Sequence, residues 1–181
     1  GSPTYCYSYN QLKINIKRFK KNFSKINPLI CFAVKANNNS IILNEIARLG
    51  IGADVVSKGE LMAALKSKIH PNRIVFSGVG KTRKEIEYAI KKKIFLINTE
   101  SHSEIEAILK IAKKINKVID IGIRLNPNVD AKTIKEITTG KVSNKFGLTD
   151  KEVIGLVNHY KNSKYLNIKC LSVHIGSQIT S

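Results

Sequence analysis

Cysteine is scarce in this chain and tryptophan is absent. The three cysteines, Cys6, Cys31 and Cys170, are an odd number, and their spacing fits neither a disulfide framework nor a zinc site. We therefore expect reduced thiols, a cytoplasmic protein and no metal. Long apolar runs are missing too, so no membrane span is predicted. The first residues also lack the charged start and apolar stretch of a secretory signal.

Acidic residues are few as well. The 181 residues contain 31 Lys and Arg against 13 Asp and Glu, which gives a formal net charge of +18. Such an excess is typical of some nucleic-acid-binding proteins. The lysines, however, are spread over most of the predicted helices, and at 110–117 they alternate with Ile and Asn. We interpret them as solvated helix faces and expect no nucleic-acid partner.

Short apolar segments alternate with amphipathic segments along the chain. The apolar segments are continuous and rich in Ile and Val, as in strands buried on both faces. The predicted strands are 29–34, 53–56, 73–77, 95–98, 118–126 and 170–175, and the predicted helices are 11–23, 40–49, 58–66, 83–91, 103–115 and 150–160. This alternation predicts an α/β fold with a parallel sheet, either doubly wound or part of a (β/α)8 barrel.

Three segments deviate from this pattern. Residues 4–9 alternate polar and aromatic side chains, which predicts a strand outside the parallel sheet. Residues 128–144 lack periodicity and are predicted to form a long functional loop. The chain ends directly after the sixth predicted strand, two strands short of a closed barrel, so we expect a truncated domain.

Lys35 ends the first apolar segment and is followed by a polar loop. In a barrel, the carboxyl ends of the strands form the active face. A rigid and dry strand end would favour the neutral amine, which is a nucleophile toward aldehydes. A lysine that merely extends into solvent is the simpler interpretation, and position alone favours it.

Other polar residues close or follow predicted strands. Asp54 and Arg124 could instead form surface ion pairs of little energetic value, and a lone histidine such as His174 is commonly a core or surface residue. Gly176 allows close approach of the backbone to a ligand, and the Ser177 hydroxyl can donate to a phosphate oxygen. We expect Lys35 and these residues to converge on one face of the sheet.

Five sequence blocks resemble, in the same order, those of the fold-type III pyridoxal-phosphate enzymes, a family that includes alanine racemase, ornithine decarboxylase and diaminopimelate decarboxylase. The blocks are Ala-Val-Lys-Ala-Asn at 33–37, Gly-Ala-Asp-Val-Val-Ser-Lys-Gly-Glu-Leu at 52–61, Phe-Ser-Gly-Val-Gly-Lys-Thr at 76–82, Ser-Asn-Lys-Phe-Gly at 143–147 and His-Ile-Gly-Ser-Gln at 174–178. The resemblance implies an alanine racemase-like TIM barrel, truncated here after about six strands. It also implies pyridoxal 5′-phosphate (PLP) as the cofactor.

The same resemblance implies a role for each candidate residue. Lys35 would carry the cofactor covalently and His174 would stack on it, and both would be catalytic. Ser177 with Gly176 would bind the phosphate, Asp54 would organise the pocket, and Arg124 would lie near the cofactor ring. Lys145 would pair with a carboxylate of the pocket.

The resemblance also implies how the domains divide. Residues 1–12 would contribute a strand to a β-domain that is otherwise absent, and residues 13–181 would form the partial PLP-binding barrel. The family's main phosphate loop, its acid for the pyridine nitrogen and a cysteine from the neighbouring subunit would lie beyond this sequence. We therefore expect the fragment to be inactive alone and the full-length enzyme to be a homodimer.

Residues 130–148 resemble the active-site loop of the diaminopimelate decarboxylase branch. This implies decarboxylation of meso-2,6-diaminopimelate, a small amino acid, to L-lysine and CO2. An ornithine, arginine or carboxynorspermidine decarboxylase is the alternative within the family. A non-catalytic PLP-binding barrel protein is a further alternative, but the predicted strand at 4–9 and the long loop argue against it.

Overall fold

The fold is built on a six-stranded parallel sheet, seen in a computed structural model that describes residues 1–129 and 146–177. Neighbouring strands in the sheet are also neighbours in the sequence, so the order is β1 to β6 without interruption. A doubly wound sheet reverses its strand order near the middle, whereas a barrel does not. The strands are β1 (Cys31–Ala33), β2 (Gly52–Val55), β3 (Ile74–Phe76), β4 (Leu96–Thr99), β5 (Ile119–Leu125) and β6 (Leu166–Val173). The predicted parallel, barrel-type α/β fold is confirmed.

Helices connect the strands, as parallel pairing requires. The α-helices are α1 (Tyr9–Asn22), α2 (Ser40–Arg48), α3 (Lys58–Lys66), α4 (Arg83–Lys91), α5 (His102–Ile115) and α6 (Asp150–Tyr160). Single 3-10 turns occur at Ser24–Ile26, Val34–Ala36 and Pro71–Arg73. In the described part of the chain, none of the helices combines the length and the apolar character needed to cross a membrane.

One apolar core lies between the sheet and the helices. Alternate strand residues are fully buried in it, including Ala53, Val55 and Phe76. The helices contribute residues three or four positions apart, such as Ile105 and Ile108 of α5, which are also fully buried. The helices are therefore held mainly by burial of one face against the sheet.

Four of these helices begin with the same sequence pattern, a Ser or Thr followed three residues later by Glu. In each case the hydroxyl accepts a hydrogen bond from the backbone N–H of that Glu, which satisfies a donor left free by the helix. The pairs are Ser57 with Glu60, Thr82 with Glu85, Ser101 with Glu104 and Thr149 with Glu152.

Two predicted boundaries need correction. β6 begins at Leu166 rather than at residue 170. The prediction missed its first half because that half alternates between more and less buried positions and has no continuous apolar run. The predicted strand over 4–9 is also wrong: α1 begins at Tyr9, capped by Ser8, and residues 1–8 contain no helix or strand. That residues 1–12 contribute to a separate β-domain remains a prediction.

Candidate active site

A cavity of about 530 Å3 lies at the carboxyl ends of the strands. Its lining includes Lys35, which follows β1, and His174 and Ser177, which follow β6, so the sheet curls enough for its two edges to border one space. Asp54 and Arg124 line the same cavity. The structure therefore brings together five of the predicted site residues. Gly176 lies between His174 and Ser177 with a φ of 154°, a backbone angle that favours glycine.

Lys35 does not lie at a dry strand end, contrary to the prediction. It lies in the 3-10 turn Val34–Ala36, after β1 has ended at Ala33, and its side chain is exposed. The preceding residue, Val34, is fully buried and anchors the turn. The described residues thus hold the Lys35 backbone firmly, while the amine stays open to the cavity and to solvent.

Asp54 is partly buried and accepts a hydrogen bond from the Ser77 hydroxyl, with 2.6 Å between Oγ and Oδ1. Burial raises the pKa of its carboxyl group, because the charged form loses hydration. The Ser77 hydrogen bond, the positive charges of Lys35 and Lys81, and His174 in its protonated form oppose that rise. Asp54 is therefore a partly buried acid held by the Ser77 hydroxyl rather than a surface acid.

Arg124 is held by an acid that the sequence analysis missed. Its Nη1 atom lies 2.9 Å from each carboxylate oxygen of Glu100, which is only 7% exposed. Glu100 also accepts from the Gly78 backbone N–H at 3.2 Å. Arg124 Nη2 lies 3.5 Å from the His174 carbonyl oxygen, and the guanidinium carbon lies 5.2 Å from the Phe146 ring centroid. Glu100 directly follows β4, so the criterion that selected Asp54 and Arg124 would also have found it.

Lys81 is a second lysine close to the cavity, and its side chain is fully buried. Its Nζ atom donates to the carbonyls of Gly78 at 2.6 Å and Asn98 at 2.7 Å, and to Glu104 at 2.7 Å. An ammonium group has three N–H donors, and all of them have partners here. Lys81 therefore fixes the loop between β3 and α4, and it is a poor competitor of Lys35 for an aldehyde.

Two further groups in the cavity have altered acidity. Burial, and then the charges of Arg124 and Lys35, lower the pKa of His174, which favours a neutral ring at neutral pH. Burial, and then the charge of Asp54, raise the pKa of Cys31 to about 11, so its thiol stays protonated at neutral pH. Since the thiolate is the reactive form of cysteine, Cys31 is not a nucleophile here.

Part of the predicted site lies outside the described residues. This applies to Lys145, to most of the loop at 130–148 and to Gln178. Gly147 is described and has a φ of 76°, and a Cβ atom there would lie 3.1 Å from the Arg124 carbonyl oxygen. Within residues 1–129 and 146–177, no three His, Cys, Asp or Glu side chains cluster as ligands of a metal would.

Comparison with known proteins gives a consistent set of relatives. The family model described as "Pyridoxal-dependent decarboxylase, pyridoxal binding domain" matches residues 9–181. A diaminopimelate decarboxylase of Helicobacter pylori strain J99 is 44% identical over 178 residues, which cover 98% of this chain and 44% of the relative.

Solved structures agree with this set. The crystal structure of a Helicobacter pylori diaminopimelate decarboxylase complexed with L-lysine superposes with a TM-score of 0.97 at 44% identity, covering 100% of this chain and 46% of the other. The enzyme from M. jannaschii in complex with L-lysine gives a TM-score of 0.87 at 37% identity, covering 96% and 42%. The chain thus spans less than half the length of these relatives.

Proposed function

Because the chain belongs to the pyridoxal-dependent decarboxylase family, we propose that it forms the cofactor-binding part of a decarboxylase that carries PLP on Lys35. The observation that carries this proposal is the single cavity in which the exposed amine of Lys35 meets Arg124, His174 and Ser177. A lysine alone at a strand end would carry little weight. Its convergence with these three residues at the active end of a barrel-type sheet carries much more.

The donor set suits PLP, which has an aldehyde, a phosphate and an aromatic ring. Lys35 supplies the primary amine that an aldehyde requires. The Ser177 hydroxyl and the open backbone at Gly176 suit a phosphate oxygen. His174 supplies a flat ring whose neutral form is favoured. Arg124 supplies a fixed positive charge beside an anionic ligand.

When bound, PLP supplies the electron sink for the bond that breaks at the α-carbon of the amino acid. The residues of this chain bind and orient. Lys35 would hold PLP through its Nζ amine, and the same atom, when free, would hold or move a proton. Glu100 fixes the direction of Arg124, and Lys81 fixes the loop before α4, so that the cavity keeps its shape during the exchange.

We propose meso-2,6-diaminopimelate as the substrate, with L-lysine and CO2 as the products. The support is the 44% identity to an enzyme named diaminopimelate decarboxylase and the similarity to two such enzymes complexed with L-lysine. The activity belongs to the full-length protein. We further propose that it works in the cytoplasm as a homodimer. This rests on the reduced cysteines and on the resemblance to enzymes whose site is completed by the neighbouring subunit. Light scattering of the full-length protein tests the dimer.

Borohydride reduction of the full-length protein with PLP, followed by peptide mass spectrometry, tests the cofactor site. We expect the label at Lys35. Lys35→Ala should abolish the visible absorbance of the protein–PLP link and the formation of lysine from diaminopimelate. Lys66→Ala removes an exposed lysine from the last turn of α3 and should change neither. A label spread over several lysines, or retained in Lys35→Ala, would contradict the proposal. Turnover of ornithine or arginine in place of diaminopimelate would correct the substrate only.

A further inference from the structure

Three polar side chains form a hydrogen-bonded line across neighbouring strands in the cavity. Asn98 of β4 donates from Nδ2 to the Ser77 hydroxyl at 3.2 Å, and Ser77, which follows β3, donates to Asp54 of β2 at 2.6 Å. All three residues line the cavity. A hydroxyl has a single hydrogen. Since that hydrogen goes to Asp54, the hydroxyl must accept from Asn98, and the direction of the line is fixed.

The orientation of the Asn98 amide is fixed from its other side. The Cys170 sulfur of β6 lies 3.8 Å from Asn98 Oδ1 and contacts the amide itself. Lys81 holds the backbone of the same residue by donating to its carbonyl at 2.7 Å. Room for the amide comes from Gly122 of β5, where a Cβ atom would lie only 2.3 Å from Asn98 Oδ1 and 2.7 Å from the Cys170 sulfur. The orientation of the Asn98 amide therefore depends on five residues from five different strands or strand ends, which are Asp54, Ser77, Asn98, Gly122 and Cys170.

Both hydrogen bonds of this line donate in the direction of Asp54. A hydrogen bond that donates to a carboxylate favours the ionised form, which opposes the effect of burial on this group. The other charged or titratable groups that act on Asp54 are Lys35, His174 and Lys81, and the Cys31 thiol is affected by it in turn. Asp54 thus connects the hydrogen-bonded line with Lys35, whose charge acts on the same carboxyl group.

We propose that Ser77 and Asn98 are positioning residues that keep Asp54 ionised, and that ionised Asp54 sets the lowest pH at which Lys35 links to an aldehyde. The inference rests on the proposed PLP site at Lys35. Lys35 must first lose a proton, and Asp54 is a carboxylate acceptor in the same cavity. The amine nitrogen and the aldehyde carbon then form a C=N bond, and the aldehyde oxygen leaves as water with the two remaining amine hydrogens.

The test measures the yield of PLP attached to Lys35, trapped with borohydride and quantified by mass spectrometry, as a function of pH in the full-length protein. The wild type should lose attachment at acid pH. Asp54→Asn, which mimics the protonated carboxyl group at every pH, should give low attachment that no longer depends on the ionisation of this residue. Ser77→Ala should move the midpoint of the acid limb upward by about one pH unit, because a hydrogen bond to a charged group is lost. Ser77→Thr keeps the hydroxyl and should restore the wild-type midpoint.

Asn98→Asp provides a second route to the same result, should Ser77→Ala fail to fold. An acid at position 98 draws the Ser77 hydrogen away from Asp54 and adds a negative charge, so the midpoint should again move upward. Thr99→Val is the matched control. It removes a buried hydroxyl from the next residue of β4, which donates at 2.7 Å to the Gly122 carbonyl on the other face of the sheet. Its acid limb should match that of the wild type.

The double variant Asp54→Asn with Ser77→Ala separates positioning from a general structural effect. If Ser77 acts through Asp54, the added Ser77→Ala change has no further effect on the profile. A Ser77→Ala effect that persists without the Asp54 carboxylate would overturn the inference. So would a wild-type midpoint in both Ser77→Ala and Asn98→Asp while attachment at Lys35 is intact. A wild type that attaches no PLP at Lys35 would overturn the proposed function and this inference together.

Discussion

The two faces of the sheet differ in chemistry although they are made by the same strands. On β4, Ile97 and Thr99 are buried on the side of the helices, whereas Asn98 between them lines the cavity. On β2, Ala53 and Val55 flank Asp54 in the same way. Because strand side chains alternate between faces, one short segment serves two environments. The helix-facing residues are mainly apolar and stabilise the fold, while the cavity-facing side also carries the polar and charged residues of the proposed chemistry.

Phe76→Ala should cause the largest loss of stability, and it tests the side of the sheet that faces the helices. Phe76 is fully buried, and removing a buried aromatic side chain costs about 3–5 kcal/mol of unfolding free energy. Urea unfolding measures this loss, and the variant that remains folded should still attach PLP to Lys35. Val79→Ala, at a residue that is 56% exposed in the loop after β3, should change stability by less than about 0.5 kcal/mol. Loss of PLP attachment in folded Phe76→Ala would mean that the two faces are not separable.

Glu100→Gln should have a smaller effect on stability and a specific effect on the cavity. The amide can still accept from Gly78, but the charge that holds Arg124 is lost, at a cost of about 2 kcal/mol. PLP affinity, followed by absorbance titration, should fall because Arg124 is no longer fixed. Glu87→Gln alters a partly exposed ion pair on α4 and should be close to neutral. Unchanged affinity in Glu100→Gln would show that the direction of Arg124 does not matter for binding.

Asp54→Asn should have the smallest effect on stability, with the opposite sign. Burial raises the pKa of this carboxyl above its ordinary value of 3.8, so the folded state binds its proton more tightly than the unfolded state does. The contribution of Asp54 to stability is therefore present at low pH and is lost as pH rises through the folded-state pKa. Asparagine remains neutral, so the variant should melt at a higher temperature than the wild type at neutral pH. The difference should shrink as the pH is lowered, and a difference that grows would show the opposite sign.

Element types were predictable from the sequence wherever tertiary burial produced a simple pattern. The continuous apolar segments gave β1 to β5, and helical spacing gave α1 to α6, with α3, α4 and α6 at the predicted bounds. The first half of β6 was missed because only one of its faces is well covered. Its side chains therefore alternate between buried and exposed positions instead of forming a continuous apolar segment. At the start of the chain, the alternation of tyrosines predicted a strand. The Ser8 cap and the residues after Tyr9 favour a helix instead.

The candidate site was predictable only in part, because contacts between distant segments leave no local pattern. Polar residues at strand ends identified Lys35, Asp54, Arg124 and His174. The same criterion would have found Glu100, the partner of Arg124, but not Asn98. Asn98 is an internal strand residue that acquires its role only through the space above Gly122. Burial of Lys81 was equally unpredictable, since its three acceptors come from three separate segments. Desolvation at Lys35 was wrongly expected because a strand was assumed to continue where a 3-10 turn begins.

The uninterrupted strand order also has a consequence for synthesis on the ribosome. Each strand pairs with the strand made just before it, so every new β–α unit meets a partner that has already emerged. The sheet can therefore grow vectorially from β1 without waiting for distant segments. The cavity cannot form in this way, since its lining joins Lys35 with residues around His174 that are made about 140 residues later. In a nascent chain, the first strands can therefore pair well before the chain has a place to hold a ligand.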